Sequence, residues 1–522
     1  MATTQLNQPQ LGPSPGTLAD SAIPLGSVKR LAAGTGIAVS GRLLGRGTRL
    51  LVDVALARLL GPKQFGLYAI GWTVTRITTL ISSLGLNTGV IRFGSRYWRQ
   101  DDARFKGVII QSLVTAGVSA TVLSLVCFSN AKWLSQTFFH KPDLAPVLRW
   151  FALSFPLVTV LAVAAASTRI SQRMKFAVLA EDVSQPAVEL VLVIILVGVF
   201  GGGLVGSMVA RIGSLIFALI LAFRYLVKLF ACLAAPDLSS KFPGTALLAF
   251  SLPASMTGVL GVLSLWINRL IVGHYRLPAE VGIYQAASYI PVSVAIVVDA
   301  VGAIFSPMAA DLSQRSQLAM MQELYKVSTK WTLYAVIPLI LIMCFAPVEL
   351  MTVLFGTSYA AGAHVLVIMA VGQLLNAASG CVGILLVMSG HQKITSAVFA
   401  AMFALNLLLS VLLIPRWGIA GAAWATVCTG AGLWIPLLLI AWHLLRAQPY
   451  DRRYLKLLLA TLLALVAVLL PSPGTSAFVR LLQVSALAVG VFWGTLLFAG
   501  LDAEDRQFTN RIRARLGLSE QL

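Results

Sequence analysis

Three arginines and one aspartate share one face of the first predicted membrane helix. Arg42, Arg46, Arg49 and Asp53 are spaced four, three and four residues apart. At about 100° and about 1.5 Å per residue, they fall within an arc of about 60° and along about 16 Å of helix. Guanidinium groups bind phosphate oxygens through paired hydrogen bonds. The stripe therefore predicts an anion site in a cavity, where Asp53 would pair with Arg49 while the site is empty.

Two interpretations of this stripe stay open. Each charge at the centre of a membrane helix costs roughly 2.5–3.5 kcal/mol, so four facing lipid would cost on the order of 10 kcal/mol. We therefore expect the stripe to face protein or a water-filled cavity. In the alternative interpretation, Arg42 and Arg46 lie at the level of the lipid headgroups, and Arg49 and Asp53 form a structural ion pair.

Acidic residues in later apolar segments are candidates for carrying a proton or binding a cation. Asp182, Gln185 and Glu189 share one face of a predicted helix, with Glu181 next to them, and Asp299 lies late in another. A desolvated carboxylate can take up a proton or contribute to a cation site. The alternative is that Glu181 and Asp182 are solvated at the membrane surface, which would leave Glu189 as the deep carboxylate.

The cysteines and histidines predict neither a metal site nor a nucleophile. The five cysteines form no CxxC pattern, and the five histidines show no ligand spacing. Residues 201–203 are three glycines, but no Lys-Ser/Thr follows them, so they predict a turn rather than a phosphate loop. No cofactor is expected.

The composition indicates what kind of chain must position these residues. Hydrophobic residues make up 58% of the 522 and charged residues 11%, with a mean hydropathy of +0.86. Soluble proteins carry about 25% charged residues. The sequence therefore excludes an ordinary soluble enzyme, a secreted disulfide scaffold and a disordered regulator. It predicts an all-α polytopic membrane protein.

Apolar runs long enough to cross a bilayer recur from residue 33 to the end of the chain. We predict a disordered cytoplasmic tail over 1–30, an amino-terminal lobe over 31–225 and a carboxy-terminal lobe over 226–442. Two further helices over 443–500 and a basic cytoplasmic tail over 501–522 complete the chain. The fourteen predicted spans are 33–57, 66–90, 107–129, 149–168, 177–199, 203–223, 246–271, 283–305, 331–352, 363–387, 394–414, 418–442, 455–470 and 478–499.

The distribution of basic residues predicts the orientation. With both termini cytoplasmic, most of the 39 Lys and Arg residues fall in cytoplasmic loops and tails. The net charge of +20 is then explained by topology and by attraction to anionic membrane lipids. We expect no nucleic-acid partner.

Two pairs of segments indicate an internal repeat. GPKQFGLY at 61–68 aligns with LPAEVGIY at 277–284, an offset of 216, and GLVGSMVAR at 203–211 aligns with GIAGAAWAT at 418–426, an offset of 215. Six helices separate the two copies, so the lobes have the same orientation. They would be related by a pseudo-twofold axis along the membrane normal, as in transporters that rock two lobes about a central site.

The repeat adds Arg269 to the predicted anion site. Arg269 aligns with Asp53, so it would face the same cavity from the second lobe; alternatively, it extends from the outer end of its helix to the lipid headgroups. Arg76 and Arg211 are further intramembrane cations, and for Arg211 we expect a role in helix packing.

Several motifs carry a resemblance to a known family. They are ARLLGPKQFGLYA, SLGLNTGVIRFGSR, VGIYQAASYI, FGTSYAAGAHVLVIMAVGQ and VMSGHQ. In this order the chain resembles polysaccharide-biosynthesis proteins of the O-antigen flippase type, within the multidrug/oligosaccharidyl-lipid/polysaccharide (MOP) superfamily. The resemblance implies a flippase that moves an undecaprenyl-diphosphate-linked oligosaccharide across the bacterial inner membrane. It also implies a polysaccharide polymerase and glycosyltransferases as partners.

Two alternatives remain beside this function. The same architecture could carry a lipid-linked peptidoglycan precursor or an amphiphilic drug, although a cationic cavity favours an anionic cargo. An integral-membrane enzyme would place catalytic groups in a large external loop, and the longest predicted loop, 130–148, offers only Asp143 and His140. We therefore expect a transporter with the diphosphate held by the cavity arginines.

Overall fold

The computed structural model describes residues 25–235, 239–470 and 476–500, together with 502 and 505. The side chain of Arg42 lies outside the described part, as does most of the predicted basic tail over 501–522. Residues 1–24 of the predicted amino-terminal tail also lie outside it, whereas 25–30 are already helical.

The described residues form helices and contain no strand. The main helices are α1 (Leu25–Ser82), α2 (Leu86–Tyr97), α3 (Asp102–Ser129), α4 (Leu144–Thr168), α5 (Met174–Val199), α6 (Gly203–Leu229), α7 (Thr245–Tyr275), α8 (Pro278–Gln314), α9 (Leu318–Phe345), α10 (Pro347–Phe355), α11 (Ala363–Ser379), α12 (Val382–Met388), α13 (Gln392–Leu445), α14 (Tyr454–Val468) and α15 (Ala477–Phe498).

The helices confirm the predicted all-α membrane protein. Nine helical stretches among the described residues are long and apolar enough to cross a bilayer. Two helices contain a sharp break, α1 at Gly61 with φ 71° and α13 at Gly418 with φ 60°. Each of the two therefore consists of two helices joined at a glycine in the left-handed region. The predicted number of fourteen spans stays a prediction.

Residues that the repeat aligns contact each other reciprocally. A Cβ on Gly66 would overlap the carbonyl oxygen of Pro278, and a Cβ on Gly282 would overlap the carbonyl oxygen of Pro62. The start of the second part of α1 therefore crosses the start of α8 backbone to backbone. A reciprocal contact between aligned residues is what a pseudo-twofold relation between two lobes requires.

The two carboxy-terminal helices, α14 and α15, pack against the second lobe. Arg480 Nη1 on α15 lies 2.7 Å from Glu349 Oε1 on α10, and the rings of Tyr334 and Trp493 meet edge to face with centroids 6.0 Å apart. An ionic cluster, here called the C-terminal clamp, follows α15.

The C-terminal clamp consists of Lys330, Lys456, Asp502 and Asp505. The buried ammonium of Lys330 lies 3.0 Å from Asp502 Oδ2 and 3.1 Å from Asp505 Oδ2. Lys456 Nζ lies 2.8 Å from Asp502 Oδ1. The clamp therefore holds the chain that leaves α15 against α9 and α14.

Candidate functional site

Helix α1 touches α5 closely at the level of the arginine stripe. A Cβ on Gly45 would overlap the carbonyl oxygen of Asp182, so only glycine permits this approach. Asp182 lies in a π-helical stretch, Val178–Ser184, and such stretches often occur at functional sites. The contact fixes which residues of α1 face the first lobe and which face the second.

The described members of the stripe point to different lobes. Arg46 Nη1 lies 2.8 Å from Asp299 Oδ2 on α8, and 48% and 61% of these side chains are exposed. Arg49 Nη2 instead donates a 2.7 Å hydrogen bond to Gln185 Oε1 on α5. The prediction of an ion pair between Arg49 and Asp53 is therefore wrong for this conformation, because the Arg49 guanidinium donates its hydrogen bond to Gln185.

Asp53 and Arg269, the pair that the repeat aligns, are both buried between the lobes. They are 9% and 8% exposed. The charges of Arg211, Glu189 and Arg49 act on Asp53 more strongly than that of Arg269 does. The Tyr289 hydroxyl of α8 faces Asp53. Arg269 Nε is buried and has no hydrogen-bond partner among the described residues. Arg269 thus lies inside the protein, and its role in an anion site stays a prediction.

Three arginines and two tryptophans form an alternating ladder across the interface between the lobes. Arg211 lies over the Trp72 ring at 4.0 Å, and Arg76 lies 5.7 Å from Trp72 and 5.5 Å from Trp266. Arg269 lies over Trp266 at 4.6 Å. The ladder runs from α6 through α1 to α7, and we call it the arginine–tryptophan ladder. Stacking on indole faces stabilises guanidinium groups away from water.

Arg76 is the residue of this ladder that sequence reasoning undervalued. It is partly exposed, and no described carboxylate forms an ion pair with it. Its nitrogen donors are therefore available to a ligand. The position of Trp72 one helical turn before Arg76 is the sequence signal that would have indicated a held cation.

Glu189 belongs to a buried network within the first lobe. Arg211 Nε lies 2.9 Å from Glu189 Oε1, and the two side chains are 3% and 1% exposed. Tyr68 Oη donates to Glu189 Oε1 at 3.1 Å, and Gln185 Nε2 donates to Glu189 Oε2 at 2.9 Å. Because Gln185 also accepts from Arg49, the network joins the arginine stripe to a fully buried ion pair.

The three predicted ion-coupling residues are not brought together. Glu189 is paired in the first lobe, and Asp299 faces Arg46 from the second. Asp182 is half-buried against α1, while its neighbour Glu181 lies 3.6 Å from Arg169. Ion coupling at Asp182, Glu189 or Asp299 therefore stays a prediction.

A cavity of about 690 Å³ lies beside the stripe, mainly within the second lobe. Its wall comes from α8, α11, α12 and α13, with Leu43 and Arg46 of α1 at one edge. Arg49, Arg76 and Arg269 do not line it. In the described part of the chain, no group of three or more His, Cys, Asp or Glu side chains is placed to hold a metal ion.

Comparisons with known proteins give the fold and the family. The structure resembles the lipid II flippase MurJ in its inward closed conformation, with a TM-score of 0.71 at 13% identity, covering 88% of this chain and 97% of that one. It also resembles an inward-facing multidrug resistance MATE transporter of the MOP superfamily, with a TM-score of 0.65 at 15% identity, covering 78% and 98%. The chain therefore shares its fold with these two transporters.

Sequence comparison points the same way. The chain is 23% identical over 464 residues to the probable low-salt glycan biosynthesis flippase Agl15 of Haloferax volcanii, covering 87% of this chain and 92% of that protein. It is 25% identical over 169 residues to the uncharacterized membrane protein MJ1068 of Methanocaldococcus jannaschii, covering 32% and 33%. The family described as polysaccharide biosynthesis protein matches residues 55–364. Since this match covers more than half of the chain, the protein is a multi-pass membrane protein that belongs to the polysaccharide biosynthesis protein family.

Proposed function

We propose that the protein is a flippase for a lipid-linked oligosaccharide whose diphosphate is held between the two lobes. The cargo would be an undecaprenyl-diphosphate-linked repeat unit of a surface polysaccharide. The protein would lie in the bacterial inner membrane with both termini cytoplasmic. The arginine–tryptophan ladder is the observation that carries the proposal, because it places guanidinium groups inside a membrane protein at the interface between its lobes.

The charges at the interface favour an anionic ligand. Arg76 has no carboxylate partner among the described side chains, and Arg269 Nε is buried without an acceptor. A charged group at membrane depth is stabilised by a partner of opposite charge or by water. A diphosphate offers several oxygens to which guanidinium forks bind in pairs. Arg49, Arg76 and Arg269 would contact it, and Asp53 would keep Arg269 oriented while the site is empty.

The contacts between α1 and α8 support transport by rocking of the lobes. At one end, the crossing of Gly66 with Gly282 brings the two backbones together. Further along α8, Asp299 meets Arg46 on the first part of α1, before the break at Gly61, as a half-exposed ion pair. A surface pair of this kind contributes about 0–1 kcal/mol, so it can open and close without a large barrier. The pair would therefore separate each time the lobes part there.

The same charges weigh against the alternatives. A cationic amphiphilic drug would require an excess of carboxylates at the interface, whereas Arg49, Arg76 and Arg269 outnumber Asp53 there. A lipid-linked peptidoglycan precursor also carries a diphosphate, so the anion site does not separate it from an oligosaccharide repeat unit. The family membership favours the oligosaccharide.

The proposal is tested with purified protein in vesicles that contain a fluorescent undecaprenyl-diphosphate disaccharide. Dithionite bleaches the label on the outer leaflet, so the bleaching curve reports translocation. We expect Arg49→Ala and Arg76→Ala to weaken binding of undecaprenyl diphosphate about 10- to 100-fold, since a hydrogen bond to a charged group contributes about 1.5–3 kcal/mol. Both should slow translocation, and Arg49→Lys should recover part of it.

The matched control is Arg416→Ala, which removes an exposed arginine far along the chain from the site. It should bind and translocate as the wild type does. Unchanged binding in both Arg49→Ala and Arg76→Ala would refute the diphosphate site.

A further inference from the structure

The cavity of about 690 Å³ beside Arg46 is large enough to hold part of a ligand. It corresponds to about 23 water molecules at about 30 Å³ each, and it lies within the size range of ligand pockets, about 300–1,000 Å³. It adjoins the half of α1 that carries the arginine stripe. The cavity therefore opens next to the proposed diphosphate site without being part of it.

Small residues make up part of the wall of this cavity. Ala300, Gly302 and Ala303 line it from α8, Gly383 lines it from α12, and Gly380 lines it from the turn before α12. Gly380 separates α11 from α12 in a left-handed conformation, with φ 59°. A Cβ at this position would overlap the Thr329 hydroxyl on α9, so only glycine permits the break to pack there.

The remaining wall is mainly apolar, and its uncharged polar side chains are Ser306, Asn376 and Thr395. Phe399 and Trp434 contribute aromatic surface. The hydroxyl of Thr395 donates to the His391 carbonyl at 3.1 Å, and the Asn376 amide donates to the Gln373 side chain at 3.2 Å. A sugar carries a hydroxyl group on most of its carbons, and buried hydroxyl groups require hydrogen-bond partners. The wall fits a branched hydrocarbon better than it fits a sugar.

An ion pair bounds the cavity on the side of the arginine stripe. Arg46 and Asp299 both line the cavity and lie 2.8 Å apart. Arg49, one turn further along α1, faces the first lobe. A ligand with its anionic group near these arginines would therefore have its adjacent apolar segment at the edge of the cavity.

We propose that this cavity binds the isoprenoid segment that directly follows the diphosphate of the lipid carrier. The inference rests on the proposed function and adds a second contact to it. Arginines of both lobes would bind the diphosphate, and the second lobe would bind the first prenyl units. Such a site selects an allylic, methyl-branched chain attached to a diphosphate. The rest of the chain stays among the membrane lipids.

The test compares two probes with the same head in the detergent-purified full chain. Geranyl diphosphate carries two prenyl units, and methyl diphosphate carries none. Intrinsic tryptophan fluorescence, to which Trp72 and Trp266 beside the ladder arginines contribute, reports binding of both probes. We expect the wild type to bind geranyl diphosphate at least about tenfold more tightly than methyl diphosphate. Equal affinities for the two probes would overturn the inference.

Ala303→Phe fills the cavity from α8, where residue 303 is exposed to it. We expect this variant to bind methyl diphosphate as the wild type does and to lose the preference for geranyl diphosphate. The control is Ala400→Phe, an exposed position on α13 outside the cavity wall, which should keep the preference. A preference that persists in Ala303→Phe would show that the chain binds elsewhere.

Failure of the two proposals can be told apart. If the proposed diphosphate site is correct, Arg76→Ala weakens the binding of both probes by a similar factor, whatever the effect of Ala303→Phe. If the wild type binds neither probe, the proposed function and this inference fail together. Should Ala303→Phe not fold, a geranyl diphosphate with a terminal diazirine tests the unmodified protein. It should label peptides from 296–306 and 380–388, and labelling confined to other segments would overturn the inference.

Discussion

Replacing Glu189 by glutamine separates a structural role of this carboxylate from an ion-coupling role. The carboxylate accepts from Arg211 Nε at 2.9 Å, from Tyr68 Oη at 3.1 Å and from Gln185 Nε2 at 2.9 Å. Both members of the ion pair are buried. Glu189→Gln keeps the size of the side chain but removes its charge, so Arg211 stays buried without its ion-pair partner.

The expected loss of stability is large for a single isosteric change. Removing one partner of a buried ion pair costs about 3–5 kcal/mol, because the other charge is left uncompensated. We therefore expect the free energy of unfolding of Glu189→Gln to fall by an amount in this range. Replacing both partners by apolar residues of similar size is often close to neutral. The double variant Glu189→Leu/Arg211→Met should consequently be more stable than Glu189→Gln alone.

The measurement is denaturant or thermal unfolding of the full chain in detergent, combined with the translocation assay. Glu181→Gln is the matched control, because Glu181 is 35% exposed and lies 3.6 Å from Arg169. The free energy of unfolding of Glu181→Gln should fall by no more than about 1 kcal/mol. If Glu189→Gln unfolds like the wild type but translocates without responding to an ion gradient, the structural reasoning is refuted and the coupling role is supported.

Three further predictions test other contacts. Reversing the charge of Arg46 or of Asp299 alone should slow translocation, and reversing both charges together should restore it. Because the pair is half-exposed, the free energy of unfolding of each variant should stay within about 1 kcal/mol of the wild-type value. In the C-terminal clamp, partial burial raises the pKa of Asp502, but hydrogen bonds and charges from the two lysines outweigh it and hold the pKa below its usual value. The clamp therefore stabilises the fold above a pH of about 4, and this stabilisation is lost as the pH falls through the lowered pKa. The melting temperature should consequently fall more steeply below about pH 4 in the wild type than in Asp502→Asn. Gly282→Leu places a side chain on the Pro62 carbonyl, and it should abolish translocation or folding, whereas the same change at the open position Gly430 should do neither.

The sequence predicted the helices and the relation between the lobes well. Hydropathy located the apolar segments because membrane helices must bury every backbone polar group internally and expose apolar side chains to lipid. The alignment of Gly66 with Gly282 predicted a repeat, and the same two glycines cross in the structure. Glycines at such crossings are readable from sequence because no other residue permits the approach.

The partners of the charged residues were harder to predict. Helical spacing placed Arg49 and Asp53 on one face, which suggested that they pair with each other. In the structure Arg49 donates to Gln185 instead, and Asp53 faces the Tyr289 hydroxyl, with Arg211 as the cation that acts on it most strongly. Spacing within a helix gives the direction of a side chain, but the neighbouring helix supplies its partner. The rotation of α1 against α5 depends on tertiary packing, which periodicity does not contain.

The arginine–tryptophan ladder was missed for the same reason. Arg76 and Trp72 share a helix, whereas Trp266 and Arg269 come from the other lobe. A search for carboxylate partners overlooks such a cation, because its stabilising contacts are aromatic rings. An intramembrane arginine next to a tryptophan one turn away is the pattern that would have indicated it.

The balance of charge at the interface explains why an anion would bind there and then leave. Glu189 and Asp299 each pair with an arginine, whereas Arg49, Arg76 and Arg269 form no ion pair with a described carboxylate. The charges of Asp53 and Glu181 act on these three arginines only from a greater distance. Charge in a weakly polar environment is costly unless it is balanced. A diphosphate between lipid and sugar carries a negative charge on each phosphate, so it would balance the surplus of positive charge.

Binding of the diphosphate would therefore favour closure of the lobes around it, since closure brings the cations of both lobes against the same anion. Release would require water to replace the diphosphate at those cations, which happens when the lobes part on the other side. A variant that removes the surplus, such as Arg76→Gln with Arg269→Gln, should then close without cargo and translocate poorly even where the cargo still enters.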